Sequence, residues 1–266
     1  MLSLSAWFEK DARPKPRRLF RCITVIGSGG KTSLIWRMAA SSPDRKILVT
    51  PTTKMFVPPP ETKPYDHYYG QGDIPYNPAP GVSLAGVFNE ASGKLEALPP
   101  AKLEETIRLY DLVLMEGDGA RERPFKAWAE NEPVVPSFTD LTIGMLPMCC
   151  LGEPVSEKLV HRLPIFLALT GAVPGEALKT EHILRLITGR ETGRRVIPGL
   201  FAKARGKKIL FFNQVEDDNA LKQARKLAEG LPPELKSDDP NLGLYAIIAG
   251  SVRSNKLEVL YQAPFP

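Results

Sequence analysis

The sequence predicts an α/β protein: a mainly parallel sheet with helices on both faces. Three observations predict it. Short apolar, β-branched runs alternate with stretches of helical periodicity along most of the 266 residues. Such runs read as strands buried on both sides, which a parallel sheet between helical layers requires. Apolar residues make up 43% of the chain, enough for a sizeable core. Finally, "ITVIGSGGKTSLIW" (23–36) passes from a strand pattern to a helix pattern through a glycine turn.

Residues 1–18 read as an N-terminal extension and 19–266 as a single domain. "LFRCITVI" (19–26) is a buried strand, 31–41 a helix and "KILVT" (46–50) a second buried strand. The connection "VPPPETKPYDHYYGQGDIPYNPAP" (57–80) is proline-rich, in a chain whose 26 prolines are about twice the ordinary ~5% share. Connections of this length are usually functional lids or disordered segments, and His67 within it is expected to face solvent. "GVSLAGVFNEASGKLEAL" predicts a small hairpin insertion around Ser92-Gly93. Leu103, Ile107 and Tyr110 at helical spacing make "PAKLEETIRLY" (100–110) an amphipathic helix. "DLVLM" (111–115) is a further buried strand. Helices around 156–170 and 180–188, strand "KKILFF" (207–212), helix 218–229 and strand "LYAIIA" (244–249) complete the alternation.

Composition narrows the function. The formal net charge is +5 with a pI near 9.0, but the densest basic stretches, "RPKPRR" (13–18) and "RETGRR" (190–195), are short and carry few aromatics. That argues against nucleic acid as a partner and leaves a surplus that favours an anionic small molecule. No run approaches the roughly 20 apolar residues of a membrane span, so no membrane is expected. The first residues place their basic groups after their apolar ones, the wrong order for a secretory signal. Cys22, Cys149 and Cys150 make neither a disulfide framework nor a C-x-x-C pair, which points to a reducing, cytoplasmic compartment without a zinc site. Cys149-Cys150 reads as a pair of small buried side chains.

The glycine turn carries the chemistry. The phosphate-binding P-loop reads G-x-x-x-x-G-K-S/T. Here only Ser28 and Gly29 separate Gly27 from Gly30, and Lys31-Thr32-Ser33 follow. Glycines let successive backbone N–H groups converge on phosphate oxygens, and the helix start adds partial positive charge. A plain strand–turn–helix corner needs one glycine, not three followed by Lys-Thr-Ser. Gly27, Ser28, Gly29, Gly30, Lys31, Thr32 and Ser33 are therefore the expected nucleotide-binding set in a P-loop NTPase-like fold. Lys31, a loop lysine expected to make few packing contacts, would neutralise the β- and γ-phosphates, and the Thr32 hydroxyl would bind Mg2+.

Other strand ends agree. "LVTPTTKMF" brings Thr50, Thr52, Thr53 and Lys54 to the end of the second strand, with Thr52 a further candidate Mg2+ ligand. "DLVLMEGDGARERPFKAW" delivers Glu116 as the expected metal ligand and Asp118 as the group acting at the attacking atom. With Lys31 these two make the expected catalytic set. Arg121, Arg123 and Lys126 either bind a second anionic substrate or pair with Glu122, Glu130 and Glu132. Glu132, in the proline-stiffened "NEPVVP", reads as structural. His161-Arg162, on the expected helix before Pro164, suits phosphate or proton chemistry or a structural role. "FFNQVED" resembles the Asn-Lys-x-Asp segment with which GTPases read guanine, making Asn213 the expected base contact. Gln214 replaces the lysine, Glu216 the aspartate, and Asp217 comes one residue late; "AGSV" (249–252) would form the other half of the pocket. The expected nucleotide is ATP or GTP, with GTP slightly ahead.

Taken together, "IGSGGKTS", "TPTTKMF", "LMEGDGARERPFKAW", "NEPVVP", "HRLP" and "FFNQVED" occur in the order of the bacterial YqeC-type family. The resemblance runs from about residue 20 to about residue 252. It implies an accessory protein for selenium-dependent molybdenum hydroxylases, also called a selenium cofactor biosynthesis protein. A molybdenum hydroxylase or a selenium-donor pathway protein is then the implied partner. The short loop also resembles that of the peptidoglycan Mur ligases, and "MEGDG" the Glu-Gly-x-Gly segment of dethiobiotin synthetase. Two departures stand out: Pro51 interrupts a threonine run, and "NQVED" stands where a lysine and an aspartate are more usual. Three activities fit these residues: an NTPase accessory factor, a small-molecule kinase or ATP-dependent ligase, and a nucleotide-binding module without turnover.

Overall fold

The computed structural model describes residues 2–10, 20–42, 44–192, 195–237 and 243–263. Ten strands form its main sheet: β1 (Leu2–Ser3), β2 (Cys22–Gly27), β3 (Lys46–Pro51), β4 (His67–Tyr69), β5 (Gly81–Ala85), β6 (Leu112–Glu116), β7 (Leu141–Pro147), β8 (Lys207–Asn213), β9 (Ala246–Ser251) and β10 (Lys256–Gln262). Their order is β1-β10-β9-β8-β7-β2-β6-β3-β5-β4. The strands from β9 to β4 are all parallel, while β10 runs antiparallel to β9 and β1.

Side chains alternate across this sheet, so each strand feeds two cores. Ile23 and Val25 of β2, Ile47 and Val49 of β3, and Ile143 and Met145 of β7 face one way. They pack with Leu34, Ile35 and Met38 of α2 (Lys31–Ala40) and with Leu4 and Trp7 of α1 (Leu4–Lys10). Cys22, Leu48, Val113 and Met115 face the other way, beneath Leu103 of α3 (Pro100–Thr106). On that same side Ile26, Leu146, Leu210 and Phe212 pack with α4 (Leu163–Thr170), α5 (Thr180–Thr188) and α6 (Asp218–Gly230). Each such side chain contributes about 1.5–3 kcal/mol on burial. The α/β class with helices on both faces is therefore as the sequence predicts. Among the described residues no helix is long and apolar enough to cross a membrane.

The order of strands positions the site. From β2 the chain crosses over β6 to β3, returns to lay β6 beside β2, and only then places β7 on the other side of β2. The direction of winding thus reverses at β2. Loops that leave the carboxyl ends of strands on either side of such a reversal diverge, and a crevice opens between them.

Several local expectations change. β7 was not predicted, although its seven residues "LTIGMLP" are all buried between β2 and β8. The first half of the expected hairpin is β5, a parallel strand of the main sheet. The hairpin itself pairs Val87–Asn89 with Lys94–Glu96, and Lys54–Phe56 adds a third strand. The proline-rich connection contains β4, in which His67 stacks on Tyr69 and is only partly exposed. Helix α4 begins at Leu163, not 156, because Pro164 fits only a helix's first turn. Residues 2–10 of the expected extension lie on the sheet, with Leu4 fully buried and Trp7 6% exposed. The basic stretch 13–18 lies outside the described residues.

The placement of Trp7 is testable. Trp7→Ala is expected to lower the unfolding free energy by about 3–5 kcal/mol, read from urea denaturation. A change within about 0.5 kcal/mol, typical of surface sites, would detach the N-terminal helix from the core.

Candidate functional site

At the carboxyl end of β2 the loop from Gly27 to Gly30 turns into α2. Gly27, Gly29 and Gly30 have φ of 95°, 75° and 116°, a left-handed region that side chains disfavour. Packing makes the same demand. A Cβ would lie 2.2 Å from the Met145 carbonyl oxygen at Gly27, 2.6 Å from Pro147 at Gly29 and 2.6 Å from the Asn213 amide nitrogen at Gly30. The N-cap, Gly30, offers no capping side chain. The first N–H groups of α2 have no acceptor within the helix, as at any helix start.

Lys31 is 5% exposed, not the loosely packed lysine the sequence suggests. Its ammonium donates to the Gly27 carbonyl at 2.7 Å and sits 3.3 Å from Asp118 and 3.9 Å from Glu116. The loop curls back over its own strand, which brings the lysine onto both carboxylates. The Thr32 hydroxyl donates to Glu116 Oε2 at 2.7 Å. Burial pushes the Glu116 pKa above the ordinary carboxylate value, although Lys31 and the Thr32 hydroxyl pull it down.

Asp118 has no exposed surface. Both of its oxygens accept from the Gly27 N–H at 3.1 Å, and Oδ2 accepts from the Trp128 indole at 2.6 Å. The Lys126 ammonium lies 3.2 Å away. This differs from the expected position at an attacking atom: so enclosed, Asp118 orients the loop from beneath. Lys126 is itself fully buried and also donates to the Gly119 carbonyl at 2.6 Å and to Glu132 at 2.8 Å. Arg162 closes the chain with two bonds to Glu132, at 2.5 and 2.8 Å. Burial raises the Glu132 pKa, but the bonds from Arg162 and Lys126 outweigh it and hold it at about 2. The open question over Lys126 thus resolves towards an internal ion pair. Trp128 had not been singled out; two-residue alternation in the extended "FKAW" puts it on the face of Lys126, a signal available from sequence.

The remaining expected residues divide. Thr52 donates its hydroxyl to the Val134 carbonyl at 2.7 Å and its N–H to the Glu116 carbonyl at 2.9 Å, so it clamps two segments together. Asn213, 3% exposed, donates to the Gly29 carbonyl at 2.7 Å and accepts from the Val252 N–H at 3.0 Å. It bridges the glycine loop to the end of β9, keeping one amide hydrogen and one lone pair in reserve. Glu216 accepts from the Ser251 hydroxyl at 2.6 Å, and Asp217 caps α6 through the Ala220 N–H. Cys150 is buried, but Cys149 is exposed, with its sulfur 3.3 Å from that of Cys150 and donating to Gln214. In the turn after Pro147 only one of two adjacent side chains faces inward.

Three hollows lie along this edge. One of about 400 Å³ covers Gly29–Ser33 and reaches Glu116, Lys94 and Arg121. A second, of about 720 Å³, is bounded by Trp36, Asn213, Gln214, Glu216 and Ser251. A third, of about 760 Å³, has Arg121, His161 and Arg162 in its wall. Ser28 Oγ in the loop and Trp36 Nε1 beside the second hollow are buried without a hydrogen-bond partner among the described residues. Nor do those residues contain a group of three His, Cys, Asp or Glu able to hold a metal. The Thr32 hydroxyl and the Glu116 carboxylate, bonded to each other, put two oxygens beside the loop, donors of the kind a hard cation takes.

Together these features define an α/β protein with a glycine loop at the switch point of a parallel sheet, an ion network beneath the loop and hollows above it. The model of the YqeC protein family matches residues 23–164, and the chain belongs to that family. The matched stretch spans the loop, both carboxylates, Lys126, Glu132 and Arg162, and ends before Asn213. "Uncharacterized protein YqeC" of Escherichia coli (strain K12) is 28% identical over 220 residues, covering 77% of this chain and 80% of that protein. No solved structure matches the chain.

The ion network has a pH signature. With a folded pKa of about 2, below the unfolded value of about 4.3, ionised Glu132 stabilises the fold above that unfolded value. The contribution is lost as pH falls towards 2. Stability measured by denaturant in pH steps should therefore drop across this window in the wild type. Glu132→Gln is expected to be less stable at neutral pH and to show a flatter acid limb; parallel curves would place the carboxylate outside the network.

Proposed function

We propose that the protein binds a nucleoside triphosphate with Mg2+ and acts as an NTPase accessory factor in selenium insertion into, or maturation of, molybdenum hydroxylases. One observation carries the nucleotide reading. Three glycines, at positions where a side chain would be strained and crowded, form a cradle at the uncapped start of α2, with Lys31 and Thr32 beside two carboxylates. Helix start, converging amides and lysine are what a chain of phosphates needs. The buried Ser28 hydroxyl has no hydrogen-bond partner among the described residues, which fits a loop that bonds an anion. The accessory role follows from the YqeC-type resemblance and from membership of that family.

In this reading Gly29, Gly30 and Lys31 hold the phosphates, and Thr32 and Glu116 hold Mg2+, which would neutralise phosphate charge. Asn213 and the hollow beside it take the base, ATP or GTP. Asp118 positions Lys31 and the Gly27 N–H. A phosphate-release assay separates an NTPase from a module that binds without turnover.

Calorimetry tests the reading. Lys31→Met should weaken nucleotide affinity by roughly tenfold to a hundredfold, since charge-assisted bonds contribute about 1.5–3 kcal/mol. It should also lower stability, because it leaves Asp118 one cation short. Glu116→Gln keeps the shape, and is expected to remove most of the Mg2+ dependence while leaving the protein folded. Unchanged affinity in both folded variants would make the glycine loop a plain corner.

The raised Glu116 pKa adds a pH dependence. Mg2+ needs the ionised carboxylate, so Mg2+-dependent affinity should fall on acidification from neutral pH in the wild type. Glu116→Gln should flatten that slope. An equal slope in both proteins would place the metal elsewhere.

A further inference from the structure

The third hollow has no part in the reading above. It shares Lys54, Phe56, Lys94, Gly119, Arg121 and Glu122 with the hollow over the glycine loop, and no residue with the one at Asn213. The glycine-loop hollow therefore lies between the other two. The third hollow carries four cations, Lys54, Lys94, Arg121 and Arg162, against the carboxylates of Glu122 and Glu132.

The cations are not equivalent. Arg162 is bound to Glu132, and Lys54 to Glu96 at 2.7 Å. Lys94 stands 4.3 Å over the Phe56 ring, and neither it nor Arg121 has a carboxylate partner among the described residues. Two cations in one hollow, neither paired with a carboxylate among the described residues, repel each other, which an anion between them would relieve. Thr53 adds a buried hydroxyl without a hydrogen-bond partner among those residues.

The backbone is also strained at this wall. Arg121, Glu122 and Arg162 have φ of 51°, 59° and 63°, three of the five left-handed non-glycine residues described. A left-handed residue is strained and persists where the surroundings enforce it. Here it turns two arginines to one hollow.

We propose that this hollow binds a second, small ligand carrying a carboxylate or phosphate group, held by Lys94 and Arg121 beside the glycine loop. That the ligand lies next to the phosphates of a nucleotide rests on the proposed function; the anion site itself does not. Burial, with Arg162, Lys126 and Arg121 nearby, lowers the His161 pKa to about 4. At neutral pH the hollow therefore also offers an uncharged imidazole that can accept a hydrogen bond from a hydroxyl of the same ligand.

Amide NMR titration with inorganic phosphate and, separately, succinate tests this in the protein without nucleotide. The expected result is saturable shifts at Thr53, Asn131 and His161 with at least one probe, the tighter probe naming the favoured group. Arg121→Ala should weaken that binding at least fivefold. So should Asn131→Asp, which adds a negative charge at the exposed rim away from the loop. A Mg2+–nucleotide titration of Asn131→Asp should still shift Gly29 and Gly30 as in the wild type. Anion shifts confined to residues 29–32, or equal affinity in both variants, would overturn the second site. Failure of nucleotide to shift the glycine loop would overturn the proposed function while leaving the anion result readable.

Discussion

The buried carboxylate of Asp118 is the constraint on which the site is built. An isolated ionised carboxylate inside a protein is strongly unfavourable unless it is paired and hydrogen-bonded. Asp118 meets Lys31, Lys126, the Trp128 indole and the Gly27 N–H, which come from α2, the segment after β6 and the end of β2. Satisfying one ion thus fixes three pieces of chain. The charges alternate along Lys31, Asp118, Lys126, Glu132 and Arg162, from the glycine loop to the third hollow. Two lysines on one aspartate have a purpose if phosphate draws Lys31 away. Lys126, the indole and the backbone amide would then still compensate Asp118, and the loop would keep its shape on binding.

The loop is held as firmly from the other side. Asn213 donates to its Gly29 carbonyl, while Met145 and Pro147 press against Gly27 and Gly29. β7 and β8 lie in register, with Pro147 opposite Asn213, so one pair of neighbouring residues supplies both the apolar and the polar wall. A cradle braced by β6 on one side and by β7 and β8 on the other reorganises little when it meets an anion, which preserves affinity that ordering would otherwise cost.

What the sequence disclosed follows from the kind of signal each feature leaves. β2, β3, β6 and β8 are apolar runs buried on both faces, and α2, α5 and α6 keep helical spacing; those patterns are local and were legible. The glycine loop was legible because glycine, lysine and threonine at fixed spacing have few other uses. β7 was missed although it is as apolar as β2, because no helix pattern follows it and Gly144 and Pro147 interrupt its appearance. Gly144 is there because Leu200 and Phe201 occupy the space a Cβ would fill, a long-range fact. The same holds for Asp118: its residue type was conspicuous, and the two-residue spacing of Lys126 and Trp128 shows in the sequence, but that both arrive at Asp118 beneath the glycine loop is a long-range fact. Cys149 and Cys150 differ in exposure only because of where the turn after β7 points.

The order of the hollows follows from the order of strands. The ends of β8 and β9 bound the hollow at Asn213, the loop after β2 the middle one, and the turns after β3 and β6 the third. A ligand lying along this edge therefore has a direction imposed by topology. Its end near Asn213 meets an indole, amides and a carboxylate already bonded to Ser251, which suits a polar, aromatic group. Its middle meets glycine amides and a lysine. Beyond that the wall turns cationic, with Lys94 and Arg121 unpaired by carboxylate among the described residues and Arg162 tied to Glu132. Lys126 anchors the third wall and the glycine loop alike, through Glu132 on one side and Asp118 on the other. A shift of either wall would strain the other through this one buried ammonium, so the two hollows are mechanically a single unit.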